Sequence, residues 1–132
     1  MKRIFDSSGA VLGRLASHVA KIALKGDEVV VLNCEKAIIT GNRKNIIEHF
    51  ERKRGRVGTG QTGPKHSRLS ERIVRRTIRG MLPNHREGRG REALKRIRCY
   101  PGIPKEFESS EMEKIGFGEK RKFIEVKEVS KK

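Results

Sequence analysis

EVVVLN, residues 28–33, decides the fold class. Val29, Val30, Val31 and Leu32 follow one another without a polar interruption. Successive strand residues point to opposite sides, so a strand with one wet face alternates apolar and polar. An unbroken run fits a strand covered on both faces, as an interior strand of a parallel sheet is. Parallel neighbours need long crossovers, usually helical, and the flanking sequence supplies one. Upstream, between Val11 and Lys25, Leu12, Leu15, Val19 and Ile22 recur at steps of three and four. Arg14, His18, Lys21 and Lys25 take the other side of that helix, and Gly26 is its stop. Before it, KRIFD carries Ile4 and Phe5 into the turn Ser7-Ser8-Gly9, giving strand, turn, helix, strand. Gly13 is expected to permit close helix packing.

Downstream, the short apolar run Ala37-Ile38-Ile39 ends in Thr40-Gly41-Asn42, and Ile46, Ile47 and Phe50 then mark one face of a helix reaching to about Arg54. Asn42 is a candidate cap. Residues 55–66, GRVGTGQTGPKH, have no apolar period and read as a long loop. A second helical pattern comes after it and is stopped by Leu82-Pro83-Asn84. HREGRGR reads as another loop, and EALKRIRCYPG as a short helix passing into a strand that ends at Pro101-Gly102. The remainder is charged, and its weakly alternating FIEVKEV is expected to lie as an extended arm on a neighbour. Strands alternating with helices predict an α/β domain over residues 1–105, with a small, mainly parallel sheet between helical layers. Residues 106–132 are expected to form a charged C-terminal arm packed on that domain or extending from it.

The 132 residues carry 32 Lys plus Arg against 16 Asp plus Glu, a formal charge of +16 that asks for a polyanionic partner. No apolar run approaches a membrane span, and Met1-Lys2-Arg3 leads into mixed sequence, so the chain reads as soluble and cytoplasmic. Cys34 and Cys99 lack Cys-x-x-Cys spacing and are expected to be a pair of buried thiols, with no disulfide framework and no metal.

Residues 68–91, RLSERIVRRTIRGMLPNHREGRGR, place arginine and no lysine beside an apolar stripe. At about 100° per residue, with Leu69 at zero, Ile73, Val74, Ile78, Met81 and Leu82 fall between roughly 40° and 220°. Arg68, Arg72, Arg75, Arg76 and Arg79 fall between roughly 240° and 340°. Five like charges on one arc repel, with Glu71 alone nearby to offset them. A guanidinium offers a rigid fork of donors that matches phosphate oxygens and sheds water more readily than an ammonium does, so this arc is expected to lie against a phosphate backbone. Lys53, Arg54, Arg56, Lys65 and His66 before the helix, and His85, Arg86, Arg89 and Arg91 after it, extend the footprint. Glycines in both loops let backbone N–H groups approach phosphate or sugar. The aromatics, Tyr100 and five Phe, lie outside the basic loops. Recognition of folded RNA by shape and backbone is therefore expected in place of a single-strand stacking platform.

Catalytic constellations are missing from the sequence. Gly58 to Lys65 is superficially like a nucleotide-phosphate loop, but Pro64 stands where that motif needs lysine and the loop comes after a helix pattern. Gly9 and Gly13 do not complete a dinucleotide fingerprint, and His18, His49, His66 and His85 stand on four separate segments without Asp or Cys companions. No cofactor or small-molecule substrate is expected.

Three blocks, IFDSSGAVLGRLASHVA, VVVLNCEKAIITGNR and IRGMLPNHREGRGREALKRIRCYPG, resemble in order and spacing the signature blocks of the ribosomal protein L thirteen family of the large subunit. Within them Leu12-Gly13-Arg14-Leu15-Ala16, Val31-Leu32-Asn33, Thr40-Gly41-Asn42 and Gly80-Met81-Leu82-Pro83 match the family pattern, and the similarity covers about residues 3–102. The chain lacks the N-terminal extension and the insertion of bacterial members, a compactness that resembles the archaeal branch. The resemblance implies a three-layer α/β/α fold with a four-stranded sheet. It also implies a non-catalytic large-subunit component that binds ribosomal RNA, usually early in assembly, among neighbouring ribosomal proteins. It points to the turn Thr40, Gly41, Asn42 and Arg43, and to the loop from Gly80 through Met81, Pro83, Arg86 and Arg89 to Arg91, as facing RNA. The reading from another class is an RNA-modifying or nucleotide-dependent enzyme on a similar sheet, which would need an acidic or nucleophilic pocket at the strand ends.

Overall fold

Along the chain run β1 (Lys2–Asp6), α1 (Leu12–Leu24), β2 (Glu28–Leu32), β3 (Ile38–Thr40), α2 (Arg43–Arg54), α3 (Ser70–Gly80), α4 (Gly88–Lys95), β4 (Ile97–Cys99), β5 (Glu113–Lys114), β6 (Phe123–Glu125) and α5 (Val126–Ser130). The computed structural model describes residues 2–54, 69–108, 111–114 and 123–130. The main sheet has the order β4-β2-β1-β5 with every pairing parallel, so the α/β class with a mainly parallel four-stranded sheet is as expected.

β2 lies inside that sheet, between β1 and β4, and Val29 to Leu32 are all buried. Its two faces meet different cover. Val29 and Val31 join Phe5 and the buried sides of α1, α3 and α4 in the large core. Val30 and Leu32 pack with Phe107, and Ile4, Tyr100 and Met112 close the rim of this smaller cluster. Both halves of the unbroken apolar run are therefore used.

α1 obeys its pattern. Leu12, Leu15, Val19 and Ile22 are buried, and the polar set faces out. Gly26, at φ +108°, donates its N–H to the Ala23 carbonyl at 3.1 Å and ends the helix in a conformation that side chains rarely adopt. Gly13 corrects the expectation of close packing, because it is exposed and an added methyl there would meet nothing within 4 Å. Between β1 and β2, buried Ser7 donates its hydroxyl to the Leu32 carbonyl at 2.6 Å and lies 2.8 Å from the Asn33 carbonyl. Asn33, left-handed at φ 56°, donates its side-chain amide to Asp6 at 2.9 Å. Burial pushes the Asp6 carboxyl up, but donors from Asn33 and Ser8, with Lys114 nearby, outweigh that and leave it below its ordinary value.

Cys34 is buried and Cys99 half-buried, and the thiols meet because β4 pairs with β2 and the Cys34 N–H reaches the Tyr100 carbonyl at 3.2 Å. A hydrogen bond with Cys99, then burial, pushes the Cys34 thiol far above its ordinary value. Both effects favour the protonated thiol.

Two segments depart from the sequence reading. HREGRGR is only half a loop, since α4 begins at Gly88 and Arg89 and Arg91 sit in its first turns. Gly90 is the reason: a Cβ there would fall 1.7 Å from the Pro83 carbonyl oxygen and 2.6 Å from that of Asn84. This glycine serves a backbone-on-helix contact inside the chain, which a loop reading misses. The second departure is FIEVKEV. It lies on its own chain, with β6 pairing antiparallel to β3 and Ile124, Val126 and Val129 buried in the large core. The Val126 N–H also donates to the Ala37 carbonyl at 2.8 Å.

Candidate nucleic-acid interface

The two arcs of α3 separate as the wheel requires. Ile73, Val74, Ile78 and the following Leu82 are buried, and Ser70 is buried beside them. The opposite side carries Arg72 and Arg75, both exposed, with Arg76 and Arg79 half-buried. Leu69 and Met81, just beyond the two ends of the helix, remain exposed. The arginines divide further by task. Arg75 donates to the Leu94 carbonyl at 3.2 Å, near the C-terminus of α4, where free carbonyls and the helix dipole favour a cation. It ties α3 to α4. Arg72 and Arg79 stand about one turn to either side of it on the same outer arc.

α3 runs into a short connection whose geometry rests on Asn84. The Asn84 side-chain oxygen accepts the Arg86 N–H at 3.2 Å, and its amide donates to Glu87 at 3.1 Å. Gly88, at φ +67°, then turns the chain into α4, and Gly90 lets that helix press against Pro83. Arg79, His85 and Arg86 thereby share one neighbourhood. Loss of hydration, then the charges of Arg79 and Arg86, hold the His85 imidazole below its ordinary value of 6.5. Three basic side chains thus stand together at this corner. Arg89 and Arg91 are both exposed, but two residues on a helix are about 200° apart, so they flank this corner from opposite sides of α4.

The turn from Thr40 to Arg43 is also exposed. Gly41 takes φ +133°, and Asn42 caps α2 as expected, accepting the Lys44 N–H at 3.0 Å. Arg43 is engaged by Glu128 of α5 at 3.3 Å, a partner that sequence distance hides. The guanidinium remains two-thirds exposed, and its other donors stay open to a ligand. α5 packs against both α2 and α3, so it separates the two basic regions.

Arg54 closes α2, whereas Arg56, Lys65, His66 and Arg68, together with the Gly-rich segment 58–65, lie outside the described residues. Among the described residues no group of three or more His, Cys, Asp or Glu could hold a metal ion, and no helix is long and apolar enough to cross a membrane. The sequence reading overlooks Phe123, which β6 places opposite Thr40 with half its surface exposed. Only the pairing of β3 with β6 brings it there, and no local pattern signals that pairing.

The model of the family described as ribosomal protein L13 matches residues 1–106. The chain is 46% identical over 112 residues to the large ribosomal subunit protein uL13 of Archaeoglobus fulgidus, covering 85% of this chain and 70% of that protein. It is 42% identical over 135 residues to the protein of the same name from Methanosarcina barkeri, with 98% and 95% covered. With that of Methanocaldococcus jannaschii it shares 46% over 105 residues, covering 77% and 76%.

Proposed function

Because the chain belongs to the ribosomal protein L13 family, we propose that it is a structural constituent of the large ribosomal subunit that binds folded ribosomal RNA and supports subunit assembly. It works in the cytoplasm, in the ribosome, beside other large-subunit proteins, and it is not an enzyme. One observation carries the RNA reading: α3 buries Ile73, Val74 and Ile78 while turning Arg72 and Arg79 outward at a corner that His85, Arg86 and Arg89 continue. A helix held from behind by the core presents its guanidiniums at fixed spacing. They can then meet phosphates without first being ordered. Thr40 to Arg43 form a second contact region in this reading, and Arg54, Arg56, Lys65, His66 and Arg68 extend the first.

Binding to a transcript of the large-subunit ribosomal RNA across a salt series tests this. The logarithm of affinity should fall linearly with the logarithm of salt, with a slope of several units, as release of counterions from many phosphates demands. The chain should also stay with the large subunit through a high-salt wash. A flat salt response, or loss of the chain in that wash, would overturn the proposal.

A further inference from the structure

We propose that Phe123 is a stacking platform for an unpaired base of the bound RNA, supplied by the C-terminal segment to the turn at Thr40. The inference rests on the proposed RNA binding and adds to it a contact that charge alone does not provide.

Thr40 and Phe123 are directly paired across β3 and β6, and both are exposed. The next pair, Ile39 with Ile124, points to the other side, where Ile124 is buried in the large core. On the exposed side water favours a residue like Thr40, yet β6 presents a phenyl ring that is 50% exposed. Among the described residues it is the one exposed Phe or Tyr, and the other exposed large apolar side chains, Leu69, Met81 and Ile103, stand on other segments. The same face continues with buried Ile38 opposite Glu125, and the adjoining segments carry charges of both signs. Gly41 comes after Thr40 with no side chain to shield the ring's neighbourhood, and Arg43 and Lys44 open the next helix, both exposed. Lys127 stands on α5. Two carboxylates are close by, and each is already held by a cation, Glu128 by Arg43 at 3.3 Å and Glu125 by Lys127 at 3.0 Å.

An exposed ring beside cations on a backbone-lined turn fits one ligand chemistry: a nucleotide whose base lies flat on the ring while its phosphates meet the cations. A paired base keeps its faces against its helical neighbours. The base must therefore come from a loop, bulge or end. β6 is tied to β3 by the ladder and to the core by Ile124, which holds the ring at a fixed height above the turn.

The chain contains no tryptophan, so Phe123→Trp introduces a single indole reporter at this site. Adding the large-subunit RNA transcript should quench that indole with affinity retained, and a fully paired duplex should not quench it. Phe123→Leu, which keeps an apolar side chain, should weaken binding to the transcript by roughly 5- to 150-fold, as loss of one stacked base does. Its salt slope and thermal midpoint should stay at the unsubstituted values, because no phosphate contact and little buried surface is lost. Unchanged affinity for Phe123→Leu would overturn the proposal. So would an indole that shifts only on adding large-subunit proteins, which would assign the ring to a protein neighbour. Failure of the unsubstituted chain to bind the transcript overturns the RNA reading itself. Binding with a normal salt slope and unquenched indole overturns the stacking role alone.

Discussion

α1 and α3 lie in the same core and obey the same period, yet their outer arcs differ. α1 turns Gly13, Arg14, Ser17, His18 and Lys21 to solvent, a mixed and weakly charged set. α3 turns out Arg72, Arg75, Arg76 and Arg79, an arc that carries no carboxylate. Packing constrains the inner arcs equally: Leu15, Val19, Val74 and Ile78 are all fully buried. The outer arc is free of that constraint, so what stands there reports what the surface meets. On the proposed reading, one arc merely keeps a helix wet and the other meets an anion.

Removing buried volume should have the largest effect. Ile78→Ala should cost about 2 to 5 kcal/mol in a denaturant melt, through a cavity beneath the arginine arc, and Val19→Ala should also destabilise by cavity formation in α1. The salt slope of RNA binding by the folded fraction should be unaltered in both. A changed slope with Ile78→Ala would show that the two arcs of α3 are not independent.

Glycine substitutions come next and have opposite signs. Gly90→Ala forces a methyl into the Pro83 carbonyl and should cost about 1 to 3 kcal/mol or more, with weaker RNA binding as the corner shifts. Gly13→Ala meets open space on α1 and should gain about 0.5 to 1 kcal/mol, with binding unchanged. Equal thermal shifts in the two variants would contradict the close approach of α4 to Pro83.

The smallest stability effects and the clearest binding effects belong to the arginine arc itself. Arg72→Ala and Arg79→Ala should stay within about 0.5 kcal/mol of the parent. Each should reduce the magnitude of the salt slope by roughly 0.7 to 0.9 per lost phosphate contact. Arg75→Ala should differ from them, losing about 0.5 to 1.5 kcal/mol with its bond to Leu94 while the slope stays put. If all three behave alike, the division of the arc into structural and RNA-facing members is wrong.

Legibility tracks the range of the signal. The unbroken apolar run of β2 and the three-and-four spacing of α1 and α3 are local, and they identify the buried faces except at Met81, which the wheel groups with the apolar arc and the fold leaves exposed. The start of α4 is hidden because Gly88 and Gly90 look like loop residues. The reason for Gly90 is a carbonyl on Pro83, which only the folded chain brings near. Gly13 misleads in the other direction, suggesting close packing on a face that is open. Arg43 is legible as an exposed cation of the turn, but its partner Glu128 is not. Phe123 is hidden for the same reason, since residues so distant in sequence are joined only by the ladder between β3 and β6.

That ladder also fixes an order of events. A ribosome makes chains from the N-terminus, so Ile38 to Thr40 leave the exit tunnel well before Phe123 to Glu125 exist. Until then β3 presents an unpaired edge, with Ile39 waiting for Ile124, while β1, α1 and β2 can already associate through contacts close in sequence. That edge is sealed by residues made much later. A nascent chain stalled short of residue 123 should therefore carry an open strand edge that the finished protein never shows.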